Sequence, residues 1–76
     1  MKKFNLAVVG ATGNVGREIL NILDFRNFPI KELHAVASSR SEGMKISYGN
    51  DKEIIVQKLE SFDFKKIDLV LSSPGS

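Results

Sequence analysis

Apolar residues in this chain fall into short unbroken runs and one spaced stripe. Phe4 to Val9 closes on Leu6-Ala7-Val8-Val9, four apolar residues together. A strand covered on both faces reads this way, because neither side needs polar residues. The run predicts a strand over Phe4–Val9. Between Asn14 and Arg26 the period changes. Val15, Ile19, Ile22 and Leu23 recur at i, i+4, i+7 and i+8, Leu20 widens the stripe, and Arg17, Glu18, Asn21 and Asp24 fall on the other side. That spacing predicts a helix over Asn14–Arg26 with one apolar face. Asn27 and Pro29 stop it, because the residue before a proline avoids the helical basin. Phe25 and Phe28 are expected at the edge of the core.

Leu33-His34-Ala35-Val36-Ala37 predicts a second strand, and Ser38 to Gly43 a polar loop. Ile46-Ser47-Tyr48, a Gly49-Asn50-Asp51 turn and Glu53 to Gln57 predict a hairpin. Ser61 is placed to cap a short turn through Phe62-Asp63-Phe64. Asp68 to Ser72 predicts a further strand, buried on both faces, and Ser72-Ser73-Pro74-Gly75-Ser76 leaves the sheet. The order β-α-β, hairpin, β is that of an α/β chain: a partial Rossmann-like, doubly wound parallel sheet, an incomplete domain. Only one long helix is available to cover strands that read as buried on both faces. A bare parallel sheet exposes a large apolar patch. The expectation is therefore the front piece of a larger α/β protein, or a dimer that buries the open face.

The chemistry lies in Gly10-Ala11-Thr12-Gly13-Asn14-Val15-Gly16, between the first strand and the helix. A strand, a tight glycine turn and a helix form the setting in which a glycine fingerprint binds a dinucleotide. Gly10 supplies the sharp turn, Gly13 lets a pyrophosphate approach bare backbone, and Gly16 lets the helix pack on the strand. The first helical turn offers N–H groups and the positive end of its dipole. Thr12 and Asn14 are read as turn and cap formers. The spacing is G-x-x-G-x-x-G, and an ordinary βα turn in another α/β protein shares it. A second signal follows. Many such folds place an acid near the end of the second strand, where it bonds the ribose 2′-hydroxyl. Here Ser38, Ser39, Arg40 and Ser41 stand there instead. Hydroxyls with a guanidinium suit a phosphate, which argues for NADP over NAD; a solvated polar loop is the other reading. Glu42 opposes a phosphate unless its side chain points away.

Composition narrows the field. Seventy-six residues make one domain at most. There is no cysteine, which excludes disulfides, thiolate metal sites and a cysteine nucleophile within this chain. A net charge of +2 with interspersed signs makes no case for nucleic acid. Lys2-Lys3 ahead of Leu6–Val9 has the order of a signal peptide, but the apolar run is short and the glycine turn breaks it. The expectation is a cytoplasmic protein with no membrane segment and no metal. His34, the single histidine, has no acid or serine placed beside it and is read as structural.

Ala7-Val8-Val9-Gly10-Ala11-Thr12-Gly13-Asn14-Val15-Gly16, then Ala37-Ser38-Ser39-Arg40-Ser41 followed by Gly43, resembles the N-terminal end of aspartate-semialdehyde dehydrogenase. The closing Ser72-Ser73-Pro74-Gly75-Ser76 resembles that family's small-residue loop after a later strand. The likeness runs through essentially all 76 residues. It implies residues 1–76 as the N-terminal portion of an NADP-binding domain, with the catalytic and dimerisation domain absent. It implies an oxidoreductase that interconverts aspartyl phosphate and aspartate semialdehyde through a cysteine thioester, on the route to lysine (with diaminopimelate), threonine and methionine. The substrate is a small molecule and the protein a cytoplasmic homo-oligomer, a dimer or tetramer. Carried over by position, Gly10, Thr12, Gly13, Asn14 and Val15 line the pyrophosphate turn. Arg40, with Ser38 and Ser41, holds the 2′-phosphate, and Ser72, Ser73 and Gly75 lie beside the adenosine or nicotinamide part. No catalytic residue is carried over, because the family's nucleophilic cysteine, histidine base and substrate arginines match positions past residue 76. Glu42, Met44 and Pro74 depart from the family pattern. N-acetyl-glutamyl-phosphate reductase, another NADP-dependent oxidoreductase such as an atypical short-chain dehydrogenase, and a non-catalytic nucleotide-binding module are the alternatives.

Overall fold

The computed structural model describes residues 2–72. Ser73, Pro74, Gly75 and Ser76 lie outside the described residues, and with them the expected cofactor positions Ser73 and Gly75. The elements run β1 (Phe4–Val9), α1 (Asn14–Phe25), β2 (Ile30–Ala37), a 3₁₀ turn (Ser39–Ser41), β3 (Lys45–Tyr48), β4 (Lys52–Lys58), a 3₁₀ turn (Leu59–Ser61) and β5 (Leu69–Ser72). One sheet has the strand order β3-β4-β2-β1-β5. β1 pairs in parallel with β2 and β5, β2 pairs in parallel with β4, and only β3 and β4 are antiparallel. Strand order therefore reverses around β1. The chain leaves it through α1 for β2, and later returns from β4 to its other side. This is the doubly wound pattern that leaves a crevice at the carboxyl ends of the strands.

α1 covers one face of the sheet. Leu6 and Val8 of β1, Ala35 and Ala37 of β2 and Val56 of β4 form one buried cluster with Leu20 and Leu23 of α1. The buried line on the helix is Gly16, Leu20 and Leu23, not the expected stripe through Val15 and Ile22, which are about half exposed. The helix is rotated because Gly16 carries no side chain and can approach the sheet, so the row through it turns inward. Phe25 is 86 % exposed and does not pack at the core edge. Phe28 does, against Phe4 with ring centroids 5.9 Å apart.

The helix ends one residue earlier than the spacing predicts. Asn27 adopts a left-handed conformation (φ 51°), its N–H bonds the Asp24 carbonyl, and the Phe28 N–H bonds the Leu23 carbonyl. This paired closure satisfies two carbonyls that the helix would leave open. Asparagine tolerates the left-handed basin better than most residues.

The far face is covered by the crossover from β4 to β5, which the strand count alone did not anticipate. Ala7 and Val36 point away from α1 and are nonetheless fully buried. The Phe62 ring meets His34 edge-on at 5.3 Å, and Phe64 packs on Phe62 at 4.7 Å. Asn5 pins the end of this segment. Its N–H donates to Asp68 Oδ2 (2.8 Å), its side-chain amide donates to the Lys66 carbonyl (3.0 Å), and its carbonyl accepts from the Asp68 N–H (2.8 Å).

Boundaries and burial differ from expectation at several places. β2 begins at Ile30, because backbone pairing of Phe4 with Ile30 and Asn5 with Glu32 extends it through exposed residues that carry no apolar signal. Pairing likewise draws Lys45, Lys52 and Lys58 into the hairpin strands. The second 3₁₀ turn precedes Phe62, so Ser61 closes it rather than capping a turn beyond. β5 is an edge strand, not a buried one: Leu69 is 40 % and Val70 48 % exposed.

The polar side of α1 holds the hairpin. Asn21 Oδ1 accepts from the Gly49 N–H (2.7 Å), and Asp24 forms an ion pair with Lys52. Asp24 raises the Lys52 pKa above its ordinary value of 10.5, first through the hydrogen bond and then through charge attraction. A folded-state pKa raised in this way contributes stability that is complete below the ordinary value and fades as pH rises through the folded one. The melting-temperature gap between the wild-type protein and Asp24→Asn is therefore expected to stay constant from neutral pH to about pH 9 and to narrow above about pH 10.5. Thermal melts across that range check this; a gap of constant size to pH 12 removes the ion pair from the account.

Candidate functional site: the glycine turn and the serine–arginine turn

β1 runs straight into the glycine turn. Gly10 is left-handed (φ 78°), and its N–H bonds the Val36 carbonyl at 2.8 Å, joined by the Ala11 N–H at 3.3 Å. β2 thus fixes the point where the chain leaves the sheet. The Gly13 N–H then returns to the Gly10 carbonyl (3.1 Å) and closes the bend. Gly13 is the residue that precedes the helix, in extended backbone, and no side chain caps it. Asn14 is the first helical residue, so neither it nor Thr12 is the cap that its residue type suggested.

The first intrahelical bond runs from the Arg17 N–H to the Gly13 carbonyl (3.0 Å). Among the described residues, no acceptor pairs with the N–H groups of Asn14, Val15 or Gly16. The first turn contains no acidic residue. Most helices meet these donors with a side-chain oxygen or an acid; this one leaves them open beside the positive end of its dipole.

The glycines divide by what a side chain would meet. At Gly16 a Cβ would overlap the Gly10 carbonyl oxygen and come within 2.8 Å of the Ala11 Cα, so packing alone demands glycine there. At Gly13 a Cβ would meet nothing nearer than the Gly10 carbonyl oxygen at 3.5 Å, and the backbone angles suit any residue. The fold itself does not require glycine at position 13.

Ser38 leaves β2 at the same carboxyl edge. The Ser41 N–H bonds the Ser38 carbonyl (2.9 Å) and the Glu42 N–H bonds the Ser39 carbonyl (3.2 Å), making the 3₁₀ turn that carries Arg40. Arg40 is exposed, and among the described residues no carboxylate lies within ion-pair distance of it. Glu42 forms no pair with Arg40 and lines a cavity on the far face with His34. Ser72 ends β5 opposite Val9, on the same edge. The structure therefore brings Gly10, Thr12, Gly13, Asn14, Val15, Ser38, Arg40, Ser41 and Ser72 to the carboxyl ends of neighbouring strands. Sequence reasoning passed over Gly43 as merely the end of a polar loop. Its signal was a glycine in the third place of the four-residue turn Ser41-Glu42-Gly43-Met44.

A cleft of about 730 Å³ separates α1 from the β3–β4 turn, and one of about 660 Å³ lies beneath the sheet beside His34, Gln57 and Phe62. Neither touches the glycine turn, and neither gathers groups for chemistry. His34 is held on both ring nitrogens, with Nδ1 2.7 Å from Gln57 Oε1 and Nε2 3.2 Å from Glu32 Oε1. An acid does stand beside it, contrary to expectation, because Glu32 is two residues earlier on the same strand face. Its surroundings remain those of a structural side chain. Among the described residues, no three His, Cys, Asp or Glu side chains converge to hold a metal ion, and no helix is long and apolar enough to cross a membrane.

Comparison with known proteins places this arrangement. The family pattern described as "Semialdehyde dehydrogenase, NAD binding domain" matches residues 5–76. The chain is 53 % identical over 75 residues to an aspartate-semialdehyde dehydrogenase of Rickettsia bellii (strain RML369-C), covering 99 % of this chain and 22 % of the relative. It is 50 % identical over 74 residues to the enzyme of the same name from Legionella pneumophila, covering 97 % of this chain and 21 % of that one. The crystal structure of aspartate semialdehyde dehydrogenase II from Vibrio cholerae, complexed with ASA, superposes with a TM-score of 0.88 at 43 % identity. That match covers 97 % of this chain and 24 % of the other. The chain spans about a fifth of the length of these curated relatives.

The two helix-proximal glycines should respond differently to a methyl group. Gly16→Ala is expected to cost about 3 kcal/mol or more, since backbone rather than a movable side chain stands in the way. Gly13→Ala is expected to cost about 1 kcal/mol or less, the scale of a changed cap residue. Urea unfolding of both variants checks this; equal losses would mean that the turn, not the helix contact, needs both glycines.

Proposed function

The chain belongs to the semialdehyde dehydrogenase family, within its NAD-binding domain, and from that premise we propose that it is the NADP-binding segment of an aspartate-semialdehyde dehydrogenase. The observation that carries the reading is the open start of α1. Among the described residues, N–H groups without a partner and a glycine whose nearest neighbour to an added side chain is 3.5 Å away share one edge of the sheet with a guanidinium in no ion pair. A dinucleotide carrying an extra phosphate asks for this set: donors and bare backbone for the diphosphate, and a forked cation for the 2′-phosphate.

Residues 10 to 16 bind and orient. The Gly13 backbone would admit the diphosphate, and the N–H groups of Asn14 and Val15 would donate to its oxygens. Val15, half exposed at the mouth of the turn, shields that contact from water on one side. Thr12 flanks the bend, and Gly10 sets its direction. Arg40, flanked by Ser38 and Ser41, would hold the 2′-phosphate, which a guanidinium can grip through two N–H groups. Ser72 at the end of β5 would border the path of the cofactor away from the turn, and the family likeness assigns Ser73 and Gly75 to the cofactor as well. When bound, the nicotinamide supplies the hydride acceptor or donor. No proton is moved by the residues described, and the chain contains no cysteine to form a thioester.

The relatives named above are aspartate-semialdehyde dehydrogenases, and the reading extends their activity to the protein that carries this segment. Aspartyl phosphate and aspartate semialdehyde are its substrate and product, within lysine, threonine and methionine biosynthesis. Residues 1–76 are the first portion of the cofactor domain, in a cytoplasmic homo-oligomer.

Cofactor preference tests the assignment. The intact protein is expected to bind NADPH more tightly than NADH. Arg40→Ala should reduce that preference by about 1.5–3 kcal/mol, the scale of hydrogen bonds to a charged group. Gly13→Val should weaken both cofactors by filling the approach to the backbone. Fluorescence titration measures all three; a wild-type protein indifferent to the 2′-phosphate would falsify the role of Arg40.

A further inference from the structure

We propose that Gly43 is a positioning residue for cofactor discrimination: its left-handed turn sets the direction in which Arg40 faces. The inference rests on the role of Arg40 given above. Ser41 to Met44 form a tight turn, closed by the Met44 N–H on the Ser41 carbonyl at 3.0 Å. Glu42 sits at φ −55°, ψ 132°, and Gly43 at φ +84°. These angles define a type II turn, whose third residue must be left-handed. A Cβ on Gly43 would meet nothing within 4 Å. Space does not select glycine at this position; the backbone angle does.

One side of the turn is fastened to β4. The Gly43 N–H bonds the Val56 carbonyl (2.9 Å), the Val56 N–H bonds the Met44 carbonyl (2.8 Å), and Val56 is buried in the core. On the other side Ser41 is shared. It accepts from Met44 in this turn and donates to Ser38 in the 3₁₀ turn that carries Arg40. Ser38 follows β2, whose last residue, Ala37, is buried and paired with Lys58. Arg40 therefore stands in a short bridge between two fixed ends. No side chain among the described residues forms an ion pair with it, so the backbone alone aims it. Moving residue 43 out of the left-handed basin breaks the Met44–Ser41 bond or pulls the turn off Val56. Either change rotates Ser41, and with it Arg40.

The test is a ratio of affinities, measured on the intact protein by fluorescence titration with NADPH and NADH. Gly43→Ala, which the left-handed basin disfavours, should lower the NADPH-over-NADH preference by about tenfold, within the loss expected for Arg40→Ala. Gly43→Asn, which tolerates that basin, should keep the preference within about threefold of wild type. Fold integrity is read separately from the melting temperature; if Gly43→Ala does not fold, Gly43→Ser is measured in its place. A wild-type ratio in Gly43→Ala, with a lowered ratio in Arg40→Ala, overturns the positioning role and leaves the cofactor reading standing. A wild-type ratio in Arg40→Ala overturns both. An equal fall in Gly43→Asn and Gly43→Ala shows that any side chain at 43 is harmful, which also overturns the argument from the backbone angle.

Discussion

Gly16 lies against the Gly10 carbonyl so closely that no side chain fits between them. This contact decides where α1 sits. With Gly16 inward, Leu20 and Leu23 follow on the same line, one and two turns later, and reach the cluster formed by β1, β2 and β4. The same contact brings the first turn of the helix over the end of β1, where its unpaired donors face outward. Core packing and the open N–H groups at the start of the helix thus depend on one close approach between backbones.

The two faces of the sheet are closed by different means. α1 covers one with regular side-chain packing. The other is covered by an irregular segment held at one end by Asn5 and along its length by Phe62 and Phe64. The second cover suffices for Ala7 and Val36 but leaves β5 open, with Leu69 and Val70 partly in water. The glycine turn and the serine–arginine turn lie at the carboxyl edge, where β1, β2 and β5 all end. Open backbone donors are tolerable there because water, or an anion, can reach them.

The polar side of α1 has a separate task. Asn21 and Asp24 hold the hairpin turn through Gly49 and Lys52. The hairpin in turn presents Val56 of β4 to the Arg40 loop through two backbone bonds. The placement of Arg40 is therefore tied to the body of the domain through β4.

Local pattern in the sequence determined most of the architecture. The unbroken run Leu6–Val9, the spaced residues of α1 and the glycines at 10, 13 and 16 each depend on near neighbours, and they predicted β1, α1 and the turn between them. The serines and arginine at 38 to 41 marked a polar loop after β2 for the same reason, and the structure sets that loop at the carboxyl end of the sheet. What only the tertiary structure decided were features set by distant partners. β2 reaches back to Ile30 because β1 pairs with it there, Phe25 points to water because Gly16 turns the helix, and β5 is exposed because nothing in residues 2–72 pairs beyond it. The dihedral at Gly43 and its anchor on Val56 belong to this second group. A backbone angle enforced from another strand leaves no periodic trace in the residues that carry it.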